Sequence, residues 1–283
     1  MRFDKALNRI LRNPAYDPPR LQRIVVAVRV AYPEGGEYRW TEALLPFIEV
    51  GAVEVAFVDP YLFQRVQVRD VINPFLRLPL KASSVHMAHA RLTEPGFFVK
   101  TLEKTVRIAE ALSSPVIIAH PSRGQPPNEG FFTKSVDPLL EKAGILLCWE
   151  TFESRRRFLS GIEGIAAFCE GRRWHAACYD TSHLHKPQEE VLRDIKTYAS
   201  LIKCFHLSNW SEAEQHLPLR HPQGELDFRE ILRAIATSGF FGSITLEYLK
   251  KYHDHLLEDA LWVKECLDNN RGSQRAWGLK RRR

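Results

Sequence analysis

Eight short apolar runs rich in β-branched residues recur along the chain, at Ile24–Val30, Val53–Val58, Ser84–Met87, Val116–Ala119, Ile145–Cys148, Ala176–Tyr179, Ile202–Phe205 and Ile244–Leu246. Each has the length of a buried strand. Between them the apolar spacing turns helical. In Phe98–Leu112 the residues Val99, Leu102, Val106, Ile108 and Leu112 fall mostly on one face, and in Phe228–Ser238 Ile231, Leu232 and Ile235 do the same. Strand starts lie about thirty residues apart for most of the chain, the length of a strand, a helix and two loops. Eight such units predict one closed (β/α)8 barrel in the α/β class. The competing arrangement, a doubly wound open sheet, usually carries a glycine-rich phosphate turn after its first strand. That place offers only Gly35-Gly36 here.

The 283 residues suffice for one such domain, expected over residues 1–270 with a short N-terminal extension, 1–21, that ends in Asp17-Pro18-Pro19. The extension reads as a short helix able to cover the barrel floor. The net charge of +6 is local: Arg271, Arg275, Lys280, Arg281, Arg282 and Arg283 sit in a segment, 271–283, without an acid, and the remaining chain holds 34 residues of each sign. The basic segment reads as a solvated, disordered tail. A neutral body argues against a polyanion as the main partner.

The five cysteines lack C-x-x-C spacing, and Cys148, Cys178 and Cys204 fall in predicted strands, as small buried hydrophobes in a reducing compartment do. No run reaches the roughly 18 apolar residues of a membrane span, and no export signal is apparent, so a cytoplasmic protein without a membrane partner is expected. The sequence leaves the oligomeric state open.

Ligand-type residues stand where the apolar runs stop. They are His86, His120, Glu150, Asp180, His206 and Glu247, with His183 three positions past Asp180. In a parallel barrel the strand ends gather at one mouth, so these side chains, far apart in sequence, would converge. Any one alone reads equally well as a cap or an ion pair, but Glu150, Asp180, His206 and Glu247 together could surround one divalent ion. Three carboxylates and one imidazole suit Mn²⁺, Mg²⁺ or Co²⁺ as much as Zn²⁺.

The segments CWETF from Cys148, YDTSHLH from Tyr179, FHLSNW from Phe205, PQGELDF from Pro222 and ITLEY from Ile244 resemble, in order and spacing, the last four strands of the xylose isomerase-like TIM barrels. That superfamily contains sugar and sugar-phosphate isomerases and epimerases, and also nucleases of the endonuclease IV type. The resemblance implies that Glu150, Asp180, His206 and Glu247 hold a single divalent metal. It further implies that Glu150 and Glu247 form an acid/base pair on opposite faces of a hydroxy-carbonyl substrate, passing through a metal-stabilised enediolate. His183 matches a histidine that contacts substrate oxygen or, in the nucleases, a metal.

His86 and His120 match histidines that the nucleases use as ligands and that many isomerase relatives also keep. Glu214-Gln-His216 fits loosely the acid-x-His ligand pair of the nucleases, with His221 a competing match. Arg220 is the candidate for the arginine that holds substrate in several epimerases. Three readings follow: a metal-dependent isomerase or epimerase of a small carbohydrate-like molecule, a zinc phosphodiesterase acting at apurinic DNA sites, or a non-catalytic ligand-binding barrel.

Overall fold

The computed structural model describes residues 24–280 except 123, 125–127, 129, 155 and 156, with side chains up to 269. The N-terminal extension expected to cover the barrel floor lies outside the described residues. Eight parallel strands close into a barrel in sequential order, each paired with its neighbours and the last with the first. The strands are β1 Val25–Ala31, β2 Ala52–Ala56, β3 Lys81–His86, β4 Val116–Ala119, β5 Leu146–Glu150, β6 His175–Asp180, β7 Ile202–Leu207 and β8 Ser243–Leu246.

Among the described residues nine α-helices stand between and after them: α1 Gly36–Leu44, α2 Pro60–Arg65, α3 Val68–Arg77, α4 Pro95–Ala111, α5 Asp137–Ala143, α6 Gly161–Cys169, α7 Gln188–Tyr198, α8 Phe228–Thr237 and α9 Leu256–Lys280. Among the described residues no helix is long and apolar enough to cross a membrane. α9 runs past the boundary expected at residue 270, and its side chains from there on lie outside the described residues.

Strand alternation divides the core. Outward residues such as Leu147, Trp149, Ala177, Tyr179 and Phe205 join the helices in one large apolar cluster. Their neighbours Val116, Ile118, Leu146, Cys148, Ala176, Cys178 and Cys204 form a second, small one. Successive side chains of a strand point to opposite faces, and a closed barrel has only its interior for the second set. The cysteines are free, and those of β5 to β7 are buried filler in that interior.

One step further along the same alternation, the inward position at the end of β5 is Glu150, that of β6 is Asp180, and that of β7 is His206. Asp180 and His206 are register partners. The outer helices follow from sequence in the same way. α4 begins at Pro95 and buries Phe98, Leu102, Thr105 and Ala109. α8 is capped by the Asp227 carboxylate, which accepts from the N–H of Arg229 at 2.8 Å, and buries Phe228, Ile231, Leu232 and Ile235.

Candidate metal centre

Glu150 is the hub of the mouth. Its Oε1 lies 3.0 Å from Nδ1 of His206 and 3.4 Å from Nδ1 of His183, and its Oε2 lies 3.2 Å from Nε2 of His86 and 2.6 Å from Nε2 of His120. Burial works to raise its pKa, but the His120 and His206 imidazoles outweigh it and hold the carboxyl well below the usual carboxylate range. Glu247 brings Oε2 to 3.0 Å from the same Nδ1, while its Oε1 pairs with the Arg29 guanidinium. That guanidinium, against the cost of burial, holds Glu247 well below the usual range.

Asp180 builds its own turn. Its Oδ1 accepts from the backbone N–H of Ser182 at 2.7 Å, that of His183 at 2.9 Å and the Ser182 hydroxyl at 3.0 Å. This folds the DTSH segment back over the mouth and leaves Oδ2 aimed inward, 3.8 Å from His206 Nδ1 and 3.6 Å from His183 Nδ1. His216 is held over this turn by Ser182 Oγ at 3.3 Å and Ser208 Oγ at 3.2 Å, with its Nε2 3.1 Å from that of His183. An antiparallel bridge between Asn209 and Leu217 brings the loop back to that point. Asn209 also ties the loop to Leu219 and Leu226, and a Cβ on Gly224 would sit 2.1 Å from the Asn209 amide nitrogen. Only glycine fits that approach.

Among the described residues three groups of donor atoms result, each within 4.8 Å: His86, His120 and Glu150; Asp180, His183 and His216; and Glu150, Asp180, His206 and Glu247. Two residues expected near the site are engaged elsewhere. Glu214 binds Lys251 at 2.7 Å and the Tyr252 hydroxyl at 3.0 Å, and Arg220 binds Asp259 at 2.9 Å and Glu258 at 2.6 Å. His221 accepts from the N–H of Gln223, so His216 is the histidine of this loop that meets the cluster.

The donor set fits a cation. Asp180 Oδ2, Glu247 Oε2, His120 Nε2 and His183 Nδ1 are buried and, although each lies within 4 Å of an ionisable partner in the cluster, none makes a well-aligned hydrogen bond. Buried carboxylates lose their hydration at a cost that only opposite charge or hydrogen bonds recover. Glu54, Glu150, Asp180 and Glu247 crowd here against Arg29 and the ring of His206. Burial opposes a proton on His206, yet Glu54 and Glu150 raise its pKa well above the ordinary value. A proton or a metal ion between the carboxylates meets the same electrostatic need.

Glu54 and Arg29 are the residues that sequence reasoning missed. Glu54 is completely buried inside β2, where its Oε2 accepts from Ser84 Oγ at 2.7 Å and lies 3.1 Å from His206 Nε2. A lone charge within the apolar runs AVEVA and VVAVRVA was the available signal.

A family model described as xylose isomerase-like TIM barrel matches residues 57–266. The chain belongs to the xylose isomerase-like TIM barrel family. Compared by sequence with curated proteins, it matches none. Among solved structures, the apo 3-keto-D-glucoside 4-epimerase of E. coli superposes with a TM-score of 0.66 at 9% identity, covering 86% of this chain and 100% of that one. D-Allulose 3-epimerase from Methylomonas sp. gives 0.66 at 17% identity, with 86% and 98% covered. A xylose isomerase-like protein from Mycobacterium smegmatis, in complex with magnesium, gives 0.66 at 14% identity, with 87% and 97% covered. At these identities the likeness establishes the fold.

Proposed function

We propose that this family member is a divalent-metal-dependent isomerase or epimerase of a small sugar, sugar phosphate or related hydroxy-carbonyl compound. The observation that carries the reading is the convergence of Glu150, Asp180, His206 and Glu247 from four strands, with their donor atoms within 4.8 Å. The sugar epimerases among its structural neighbours, and the magnesium complex of another, support it. An ion bound by these four residues supplies Lewis acidity that polarises a carbonyl and the hydroxyl beside it. Mn²⁺, Mg²⁺, Co²⁺ and Zn²⁺ all suit the set.

The remaining chemistry belongs to the chain. Glu150 Oε1 and Glu247 Oε2 each lie 3.0 Å from His206 Nδ1. One, as the carboxylate, takes a proton from the carbon next to the carbonyl, and the other, entering that step as the carboxylic acid, gives its proton to the opposite face and is left as the carboxylate. Arg29 fixes Glu247 from behind, while His86 and His120 hold the second oxygen of Glu150. His183 and His216 stand over the cluster, placed to meet a substrate oxygen.

The test is solvent exchange: the metal-loaded protein is incubated with ketoses in D₂O, and deuterium at the carbon next to the carbonyl is followed by NMR. Incorporation should fall by about 10²-fold or more in Glu150→Gln and Glu247→Gln, the scale of a lost acid/base group. Exchange that persists unchanged in both variants would overturn the proposal.

A second reading has its own observation. The two additional donor groups share Glu150 and Asp180 with the first, an arrangement that suits three zinc ions and a phosphodiesterase acting at apurinic DNA sites. A duplex ligand calls for basic side chains along its phosphates, and the body outside residues 271–283 carries equal numbers of the two charges. Cleavage of an abasic-site duplex would favour this reading over the first.

A further inference from the structure

Arg29 is a cation built into the acidic mouth. On β1 the residues Val26, Val28 and Val30 join the outer apolar cluster, so strand alternation turns Arg29 into the barrel. Its register partner on β2 is Glu54, and Val28 pairs with Leu246 of β8, which brings Glu247 to its other side. The guanidinium accordingly meets both carboxylates: NH1 pairs with Glu247 Oε1, and Nε lies 3.9 Å from Glu54 Oε1. The side chain keeps 13% exposure at the mouth.

Glu54, Glu150, Asp180 and Glu247 bring four carboxylates together here, and the rings that approach them are those of His86, His120, His183 and His206. A histidine is a cation only when protonated, whereas a guanidinium keeps its charge. Burying carboxylates without opposite charge is costly, and Arg29 offsets that cost with no ion bound. It also engages Oε1 of Glu247 and leaves Oε2 as the oxygen turned to the other donors.

We infer that Arg29 is the fixed counter-ion of the donor cluster: it holds the mouth together in the metal-free protein, and by repelling a divalent ion it keeps that ion exchangeable. The inference rests on the proposed metal centre and concerns how the ion is held, whatever reaction it serves. An arginine that acted only as a salt bridge would stabilise the metal-free and the metal-bound fold equally. A counter-ion stabilises the first and opposes the second, because like charges among the same buried carboxylates repel strongly at low dielectric.

The test is calorimetric titration of Mn²⁺ into the metal-free protein at constant ionic strength, together with urea unfolding with and without saturating Mn²⁺. Wild type is compared with Arg29→Met, which keeps the apolar stem and removes the charge, and with Arg29→Met/Glu54→Gln, which removes one charge of each sign. Arg29→Met should be less stable than wild type without metal, should regain that loss with Mn²⁺, and should bind Mn²⁺ about tenfold or more tightly. By linkage the gain in affinity equals the difference between the two stability losses. The double variant should bring both affinity and metal-free stability back toward wild type. If Arg29→Met does not fold without Mn²⁺, a double variant that folds supports the charge role, and one that does not fold overturns it. Mn²⁺ bound by Arg29→Met no more tightly than by wild type, or equal stability losses with and without the ion, overturns the inference and leaves the metal centre standing. Absence of Mn²⁺ binding in all three proteins defeats the metal centre and the inference with it.

Discussion

Glu54→Gln is the most informative single change, because it alters charge beneath the proposed metal centre without altering volume. Glu54 is completely buried, and its Oε2 takes the Ser84 hydroxyl at 2.7 Å and stands 3.1 Å from Nε2 of His206. A carboxylate there keeps the proton on Nε2 and turns the Nδ1 lone pair toward Glu150, Asp180 and Glu247. It also makes the ring a stronger donor to a cation. The amide oxygen of glutamine can still accept from Nε2, so the ring stays oriented but loses the charge-assisted part of the bond. Removing such a partner of a metal-binding histidine costs about 10- to 100-fold in affinity, or about 1.4 to 2.7 kcal/mol. The assay is a calorimetric Mn²⁺ titration of metal-free wild type and variant, with urea unfolding of both to show an intact fold. Mn²⁺ affinity within twofold of wild type in a folded Glu54→Gln would refute the reasoning.

Other outcomes follow from the same structure. Gly242→Ala should cost about 1–3 kcal/mol or more in urea unfolding, because a Cβ there would sit 2.1 Å from the Lys203 carbonyl oxygen; wild-type stability would contradict that packing. Mn²⁺ at a hundred times its Kd should stabilise the fold by about 2.7 kcal/mol, and Asp180→Asn should abolish most of that gain; an equal gain in the variant would remove Asp180 from the ligand set. His175 is buried, accepts from Trp149 Nε1 at 3.0 Å and meets Asp137 at 2.8 Å. Burial holds its pKa below the ordinary value despite Asp137. As pH falls below about 6.5 the unfolded chain therefore takes up this proton before the folded one, and stability present above that pH is lost at up to about 1.4 kcal/mol per unit. His175→Gln should flatten the difference between urea unfolding at two pH values on either side of this point, and an unchanged difference would refute the assignment.

What could be read from sequence follows from what each pattern depends on. Strand positions, and the donors at their ends, depend on local periodicity and on barrel closure, which needs no long-range detail. The run ending at Tyr179 therefore placed Asp180, and the run ending at Phe205 placed His206, next to each other in register. Glu54 and Arg29 escaped because a charge inside an apolar strand has no local partner. Its meaning lies in His206, 152 residues away, and in Glu247. Glu214 and Arg220 show the converse. Their spacing suited a site loop, but the loop returns through the Asn209–Leu217 bridge and turns both toward the segment that follows β8, where Lys251, Tyr252, Glu258 and Asp259 neutralise them. Loop direction is set by such tertiary bonds, and periodicity carries no trace of them.

The metal content of the purified protein, measured by elemental mass spectrometry, tests the central proposal most directly. About one divalent ion per chain, lost in His206→Ala and in Asp180→Asn, is the expected result. A chain that retains no divalent ion under any loading, or one that holds three zinc ions, would contradict it.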